Sequence, residues 1–128
     1  MYKIIFALLL SFSSILVNAQ DKTGAEMTFT EPSHDFGDIR QGEKVEYVFK
    51  YKNTGKEPLI ISEVLTTCGC TATKWDKNPI PAGGQGQIVA SFNSEGKMGR
   101  QNKVITVLSN APTNTSRITI IANVLPAK

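Results

Sequence analysis

The sequence predicts an all-β sandwich, and three observations carry that expectation. From Met27 onward apolar residues alternate in twos, and no window repeats them at three-four spacing. Gly, Pro or Asn interrupts the alternation at intervals of roughly ten residues, the rhythm of short strands joined by turns. About seven such segments fit into the chain between Met27 and its end.

The first nineteen residues read as an address rather than as structure. Met1-Tyr2-Lys3 is a short positive start, and Ile4 to Leu10 is an apolar run. Ser11, Ser13 and Ser14 dilute its continuation, and Val17-Asn18-Ala19 closes it with small residues at the positions a signal peptidase reads. This layout predicts a cleavable signal peptide over residues 1–19, cut between Ala19 and Gln20. Ile4 to Val17 spans 14 residues, three of them Ser. A spanning helix needs ~20 apolar residues, so no stable membrane span is expected after cleavage. The expected mature chain has 109 residues and is secreted or periplasmic. Residues 20–26 lack periodicity and read as a flexible, solvated tail.

The remaining elements follow in order. Met27 to Thr30 and His34 to Ile39 read as one edge strand broken at Pro32, since proline is tolerated at an edge. Lys44 to Lys52 is the clearest strand, with Val45, Tyr47, Phe49 and Tyr51 on the core face. Lys44, Glu46, Lys50 and Lys52 take its solvent face, and Asn53-Thr54-Gly55-Lys56 turns the chain, with Gly55 able to supply positive φ. Leu59 to Leu65 reads as a more heavily buried strand, and Thr71 to Trp75 as a short one. Asn78 to Gly84 carries two prolines and a Gly pair, which exclude regular structure. Gln87 to Phe92 alternates again. Asn93 to Gly99 has the composition of a mobile loop, and Lys103 to Ser109 and Arg117 to Leu125 complete the set. One immunoglobulin-like domain over residues 27–128 is the expected result, with Phe29, Phe36, Tyr47, Phe49, Trp75 and Phe92 as its aromatic core.

Composition narrows the function. The formal net charge of +3 is too small to argue for nucleic acid, and no Gly-rich loop precedes a helix to cradle phosphate. A single His and two Cys provide neither a closed zinc site nor a multi-His centre, and no Gly-x-Ser-x-Gly elbow is present. No catalytic residue and no cofactor is therefore expected. His34 lies among Glu31, Asp35 and Asp38, and on an unbroken strand it shares a face with Phe36 and Asp38; turn capping is the simpler account of that segment. Lys44, Lys50, Lys52 and Lys56 form a stripe interrupted by Glu43, Glu46 and Glu57, as a solvated strand face does.

Cys68-Gly69-Cys70 is the unusual feature, and three readings of it stand open. The pair is a structural disulfide, or inert thiols, fixing a loop near Trp75. Alternatively it is a redox-active pair that exchanges with partner thiols. In the third reading its thiolates share a soft metal such as Cu(I) or zinc, with His34 the sole histidine available to join them.

Several segments together resemble a known family. They are Phe36-Gly37-Asp38-Ile39 with Gly42-Glu43, Tyr51 to Ile61 through Asn53-Thr54-Gly55-Lys56, Thr67-Cys68-Gly69-Cys70-Thr71, Pro79 to Gly83 with Gly86, and Lys103 to Asn110. In this order they resemble the bacterial secreted domain-of-unknown-function family fifteen-seventy-three, itself similar to Hydin-type and major-sperm-protein-like domains. The resemblance implies an extracytoplasmic immunoglobulin-like sandwich and supplies no activity. The expectation is a non-catalytic interaction or scaffolding module whose partner is an envelope or extracellular protein or glycan. A thiol-redox or copper-handling protein centred on Cys68 and Cys70 is the alternative.

Mass spectrometry of the protein recovered from an exporting cell checks the leader. The expected N-terminus is Gln20, and Ala19→Arg is expected to leave the precursor uncut.

Overall fold

The computed structural model describes residues 24–128. The leader and its cut therefore lie outside the described residues. Eight strands follow in order: β1 (Met27–Phe29), β2 (Ser33–Arg40), β3 (Lys44–Asn53), β4 (Ile61–Thr66), β5 (Thr71–Trp75), β6 (Gln85–Asn93), β7 (Gly99–Ser109) and β8 (Thr115–Leu125). They form two four-stranded sheets, β1-β3-β6-β5 and β2-β8-β7-β4, which make an immunoglobulin-like sandwich. All neighbours are antiparallel except β2 and β8.

The period-two pattern sets the register. β3 faces β6 with Phe49 opposite Ile88 and Tyr47 opposite Ala90, so one row of side chains from each strand enters the space between the sheets. Ile105 and Val107 of β7 and Ile118, Ile120, Ala122 and Val124 of β8 close that space from the other side. Of the aromatic residues expected in the core, Phe49 and Phe92 are fully buried, while Phe29, Phe36, Tyr47 and Trp75 pack partly buried around it. The aliphatic residues of β6, β7 and β8 fill the centre.

The first expected strand is instead two strands in different sheets. β1 pairs with β3, the chain crosses at Glu31-Pro32, and β2 pairs with β8. Pro32 has no N–H to give either ladder, but its carbonyl accepts from Thr119 N–H at 2.9 Å as the second sheet begins. This crossing raises the count from about seven strands to eight.

β4 also differs from expectation. It begins at Ile61, is an outer strand bulged between Ile61 and Glu63, and leaves Leu65 43% exposed, with Ile60 just before it 44% exposed. A strand with a neighbour on one side buries less than its apolar composition suggests.

Gly24 to Glu26, expected within the flexible tail, are instead held: Ala25 is buried in the core, and the Gly24 and Glu26 carbonyls accept from Lys56 and Thr54 N–H. Gly55 makes room for this segment: a Cβ there would lie 2.1 Å from the Gly24 carbonyl oxygen. Its φ is not in the left-handed region, so close approach, not turn geometry, requires glycine at this point.

Two buried polar residues tie the ends of the central strand pair. Asn53, fully buried, donates from Nδ2 to Glu57 O at 2.7 Å and Ile80 O at 2.9 Å. Its Oδ1 accepts from Gly55 N–H at 3.0 Å and Glu26 N–H at 3.3 Å, while its main chain pairs with Gly83 and Gly84. At the opposite end Ser94 Oγ lies within reach of two acceptors, Glu43 O at 2.6 Å and Arg40 O at 3.0 Å.

Asn53→Ala orphans four main-chain groups in three segments, each group worth roughly 1–3 kcal/mol when left unsatisfied. A loss of about 3 kcal/mol in urea unfolding is expected, with the m-value unchanged.

Candidate functional site at the Cys68–Cys70 rim

β4 and β5 are outer strands of different sheets, and the turn between them crosses the rim of the sandwich. Cys68 and Cys70 are bonded across this turn, with their Cα atoms 5.2 Å apart, inside the range a disulfide accommodates. Both cysteines are half-buried and Gly69 is exposed. Hydrogen bonds hold the turn as well: Thr71 N–H donates to Cys68 O at 3.1 Å and Thr66 Oγ1 to the same carbonyl at 3.4 Å. Cys70 N–H points back to Cys68 Sγ at 3.2 Å. The sulfur bond closes a ring of three residues, worth about 1.6 kcal/mol by the loop-entropy relation, less than most structural disulfides contribute.

Glycine is not required between the two cysteines. Its φ lies outside the left-handed region and a Cβ there would meet nothing within 4 Å. The turn accommodates the bond without demanding glycine.

β5 leaves the turn as the edge of the first sheet, bonded on one side to β6. Asn93 N–H donates to Cys70 O at 2.9 Å, which places that pair in the hydrogen-bonded class of the antiparallel ladder. By alternation Ala72 and Lys74 direct their main-chain groups to β6, and Thr71, Thr73 and Trp75 direct theirs outward. The outward groups of Thr71 are engaged locally: its N–H donates to Cys68 O, and its carbonyl lies 3.5 Å from Thr66 Oγ1, whose one hydrogen is shared between it and Cys68 O. Thr73 and Trp75 present theirs along the open edge.

Two clefts flank that edge on the solvent face of the sheet. One, of about 300 Å³, is walled by Lys44, Gly69, Cys70, Ala72, Ser91 and Asn93. The other, of about 450 Å³, is walled by Lys50, Lys74, Asp76, Gln85, Gln87 and Trp75. Among the described residues Trp75 Nε1 and the Tyr51 hydroxyl are buried without a hydrogen-bond partner. Burial, then the charge of Asp76, raises the Tyr51 pKa. The basic stripe read along β3 therefore continues onto β5: Lys44, Lys50 and Lys74 stand around the two clefts, opposed there by Asp76.

His34 lies elsewhere. β2 and β4 are opposite edges of the second sheet, with two strands and roughly 14 Å between them. Its ring stacks on Tyr47 at 3.7 Å and meets Phe36 edge-on at 4.7 Å. The Tyr47 hydroxyl donates to Glu31 at 2.8 Å, and that bond first, then burial, raises the Tyr47 pKa. Asp38 does not share the His34 face as an unbroken strand predicts. Gly37 at φ 71° makes a bulge, its N–H capped by Asp35 at 2.8 Å, and Asp38 turns out to accept from Asn123 at 2.9 Å. No group of three or more His, Cys, Asp and Glu that could hold a metal ion occurs among the described residues. The structure thus gives Cys68 and Cys70 no third ligand from His34.

A model of the proteins of unknown function DUF1573 matches residues 27–124. The chain belongs to the DUF1573 family. The match covers all eight strands but for the last residue of β8, and so bears out the resemblance carried by the Asn-Thr-Gly-Lys and Cys-Gly-Cys-Thr blocks. A search of the curated proteins found no match.

Among solved structures, this DUF1573 chain is similar to a protein of unknown function from Porphyromonas gingivalis W83, with a TM-score of 0.69 and 20% identity. That likeness covers 85% of this chain and 51% of the other, so the chain spans about half the length of that relative. The ASH/PapD-like domain 7 of human CEP192 gives a TM-score of 0.64 at 13% identity, covering 84% of this chain and 89% of that one. A major-sperm-protein family member of C. elegans, WR4, gives 0.51 at 8% identity, covering 77% and 97%. At these identities the likeness is one of fold.

Gly69→Ala tests the reading of the turn. The variant is expected to fold with the Cys68–Cys70 bond formed, by thiol count, and to change stability by less than about 0.5 kcal/mol.

Proposed function

We propose that this DUF1573 chain is an exported, non-catalytic recognition module that captures an extended acidic polypeptide segment along the open side of β5. The observation that carries this reading is the outward direction of the Thr73 and Trp75 main-chain groups between two clefts. A strand added there takes up N–H and C=O groups that the fold leaves at its edge, as in other strand-addition complexes.

Ala72 and Lys74 are two residues apart, roughly 6.7 Å along a strand, and each helps wall one of the clefts. Alternate side chains of an added strand would therefore lie at the mouths of the two clefts. Lys44, Lys50 and Lys74 around those mouths favour carboxylates, so the charge selects and the backbone binds. The leader pattern and the paired cysteines support a secreted or periplasmic setting for this capture.

Thr73→Pro is the test. It removes an N–H that points away from β6, so the ladder keeps its bonds and the fold is expected to persist. Ligands are first selected from an array of extended acidic peptides, and affinity is read by fluorescence of Trp75, the only tryptophan. The expected loss in Thr73→Pro is about tenfold, with binding weakened by salt. An array without ligands, or equal affinity in the folded variant, overturns the reading.

A further inference from the structure

We propose that the Cys68–Cys70 bond is an exchangeable disulfide that accepts electrons from a partner dithiol. This goes beyond capture at β5 and does not depend on it, because it uses only the turn and the adjoining cleft.

Three features of the turn converge. The bond lies on the rim, and Cys70 and Gly69 form part of the wall of the smaller cleft, so an attacking sulfur has a route to Cys70. Lys44 on the same wall attracts a thiolate to that route. Cys70 N–H donates to Cys68 Sγ at 3.2 Å, and a donor already aimed at a sulfur favours that sulfur as the anion. Cys68 is thereby the better leaving group, since a more acidic thiol leaves faster. Finally, the fold has other means of keeping the turn, through the bonds of Thr71 N–H and Thr66 Oγ1 to Cys68 O and of Asn93 N–H to Cys70 O.

The chemistry balances as follows. A thiolate of the partner attacks Cys70 Sγ, the Cys68–Cys70 bond breaks, and the electron pair leaves on Cys68 Sγ beside the Cys70 N–H. The partner's second thiolate then attacks its own sulfur in the mixed disulfide. That closes the partner's disulfide and releases Cys70 as a thiolate. The two protons given up by the partner dithiol end on Cys68 and Cys70. The partner is oxidised by two electrons and the pair in this chain is reduced by two.

The test uses the exported chain in glutathione buffers of stepped ratio, quenched by acid and alkylation, with folding followed by circular dichroism on the same samples. The expected result is reduction while the chain stays folded, with trapped glutathione found on Cys70 over Cys68 by about tenfold in peptide mapping. Reduction that occurs only together with unfolding overturns the proposal, as does glutathione shared equally between the two cysteines. The Cys68→Ser/Cys70→Ser chain is expected to fold. If it does not, the bond is structural and the proposal falls. Thr73→Pro is expected to exchange at the wild-type rate, so failure of strand capture and failure of exchange are read separately.

Discussion

The side chain of Asn53 holds together segments that no strand ladder joins. It stands at the C-terminal end of β3, where three segments of main chain meet. Each of its four hydrogen-bonding positions is used: two amide hydrogens on Glu57 O and Ile80 O, and two lone pairs on Gly55 N–H and Glu26 N–H. A buried amide fully satisfied in this way specifies one arrangement, because any shift of a partner leaves a polar group dry. The connection between β5 and β6, the turn after β3 and the segment before β1 all bond to this one residue. Pro79 to Gly84 can depart from regular structure because Ile80 and Gly83–Gly84 are anchored to it.

From that anchored end the chain manages its sheet edges unequally. β1 has three residues and then crosses to the other sheet, so the lower part of β3 is left with β6 as its sole ladder partner. Lys44 and Lys50 on the solvent face discourage a like strand from docking on it. β4 is bulged, another ordinary protection. β5 is longer than β1, has no bulge in its register with β6, unlike β2 and β4, and carries one lysine, Lys74. That difference within one fold is what makes the β5 edge stand out as a place for recognition.

Much of this was legible in the residues, and the failures share a cause. β3 and β5 were readable because their pattern is local: alternation states which side chains turn inward wherever the strand sits. The Cys-Gly-Cys block likewise announced itself by spacing. What alternation does not encode is which sheet a strand joins and whether it has one neighbour or two. The crossing at Pro32, the exposure of Leu65 and the burial of Ala25 are all of that kind. Gly55 is special for close approach and not for positive φ, and its neighbour Gly24 is thirty-one residues away in sequence, beyond the reach of any local pattern. The His34–Asp38 face failed through a bulge at Gly37, which a period of two passes over.

The position of the disulfide bears on whether it can be cycled at all. Cys70 is joined to the first sheet through its carbonyl, by Asn93 N–H, and Cys68 to the turn through its carbonyl, by Thr71 N–H. Neither bond involves sulfur. Had the cysteines faced each other across the two sheets, as in antibody domains, opening their bond would release a constraint on the whole core. Here the ring it closes contains three residues, and the hydrogen bonds that define β5 begin outside the sulfur atoms. A bond placed in this way can change state while the edge beside it keeps its shape, and the rim can combine thiol chemistry with a rigid recognition strand.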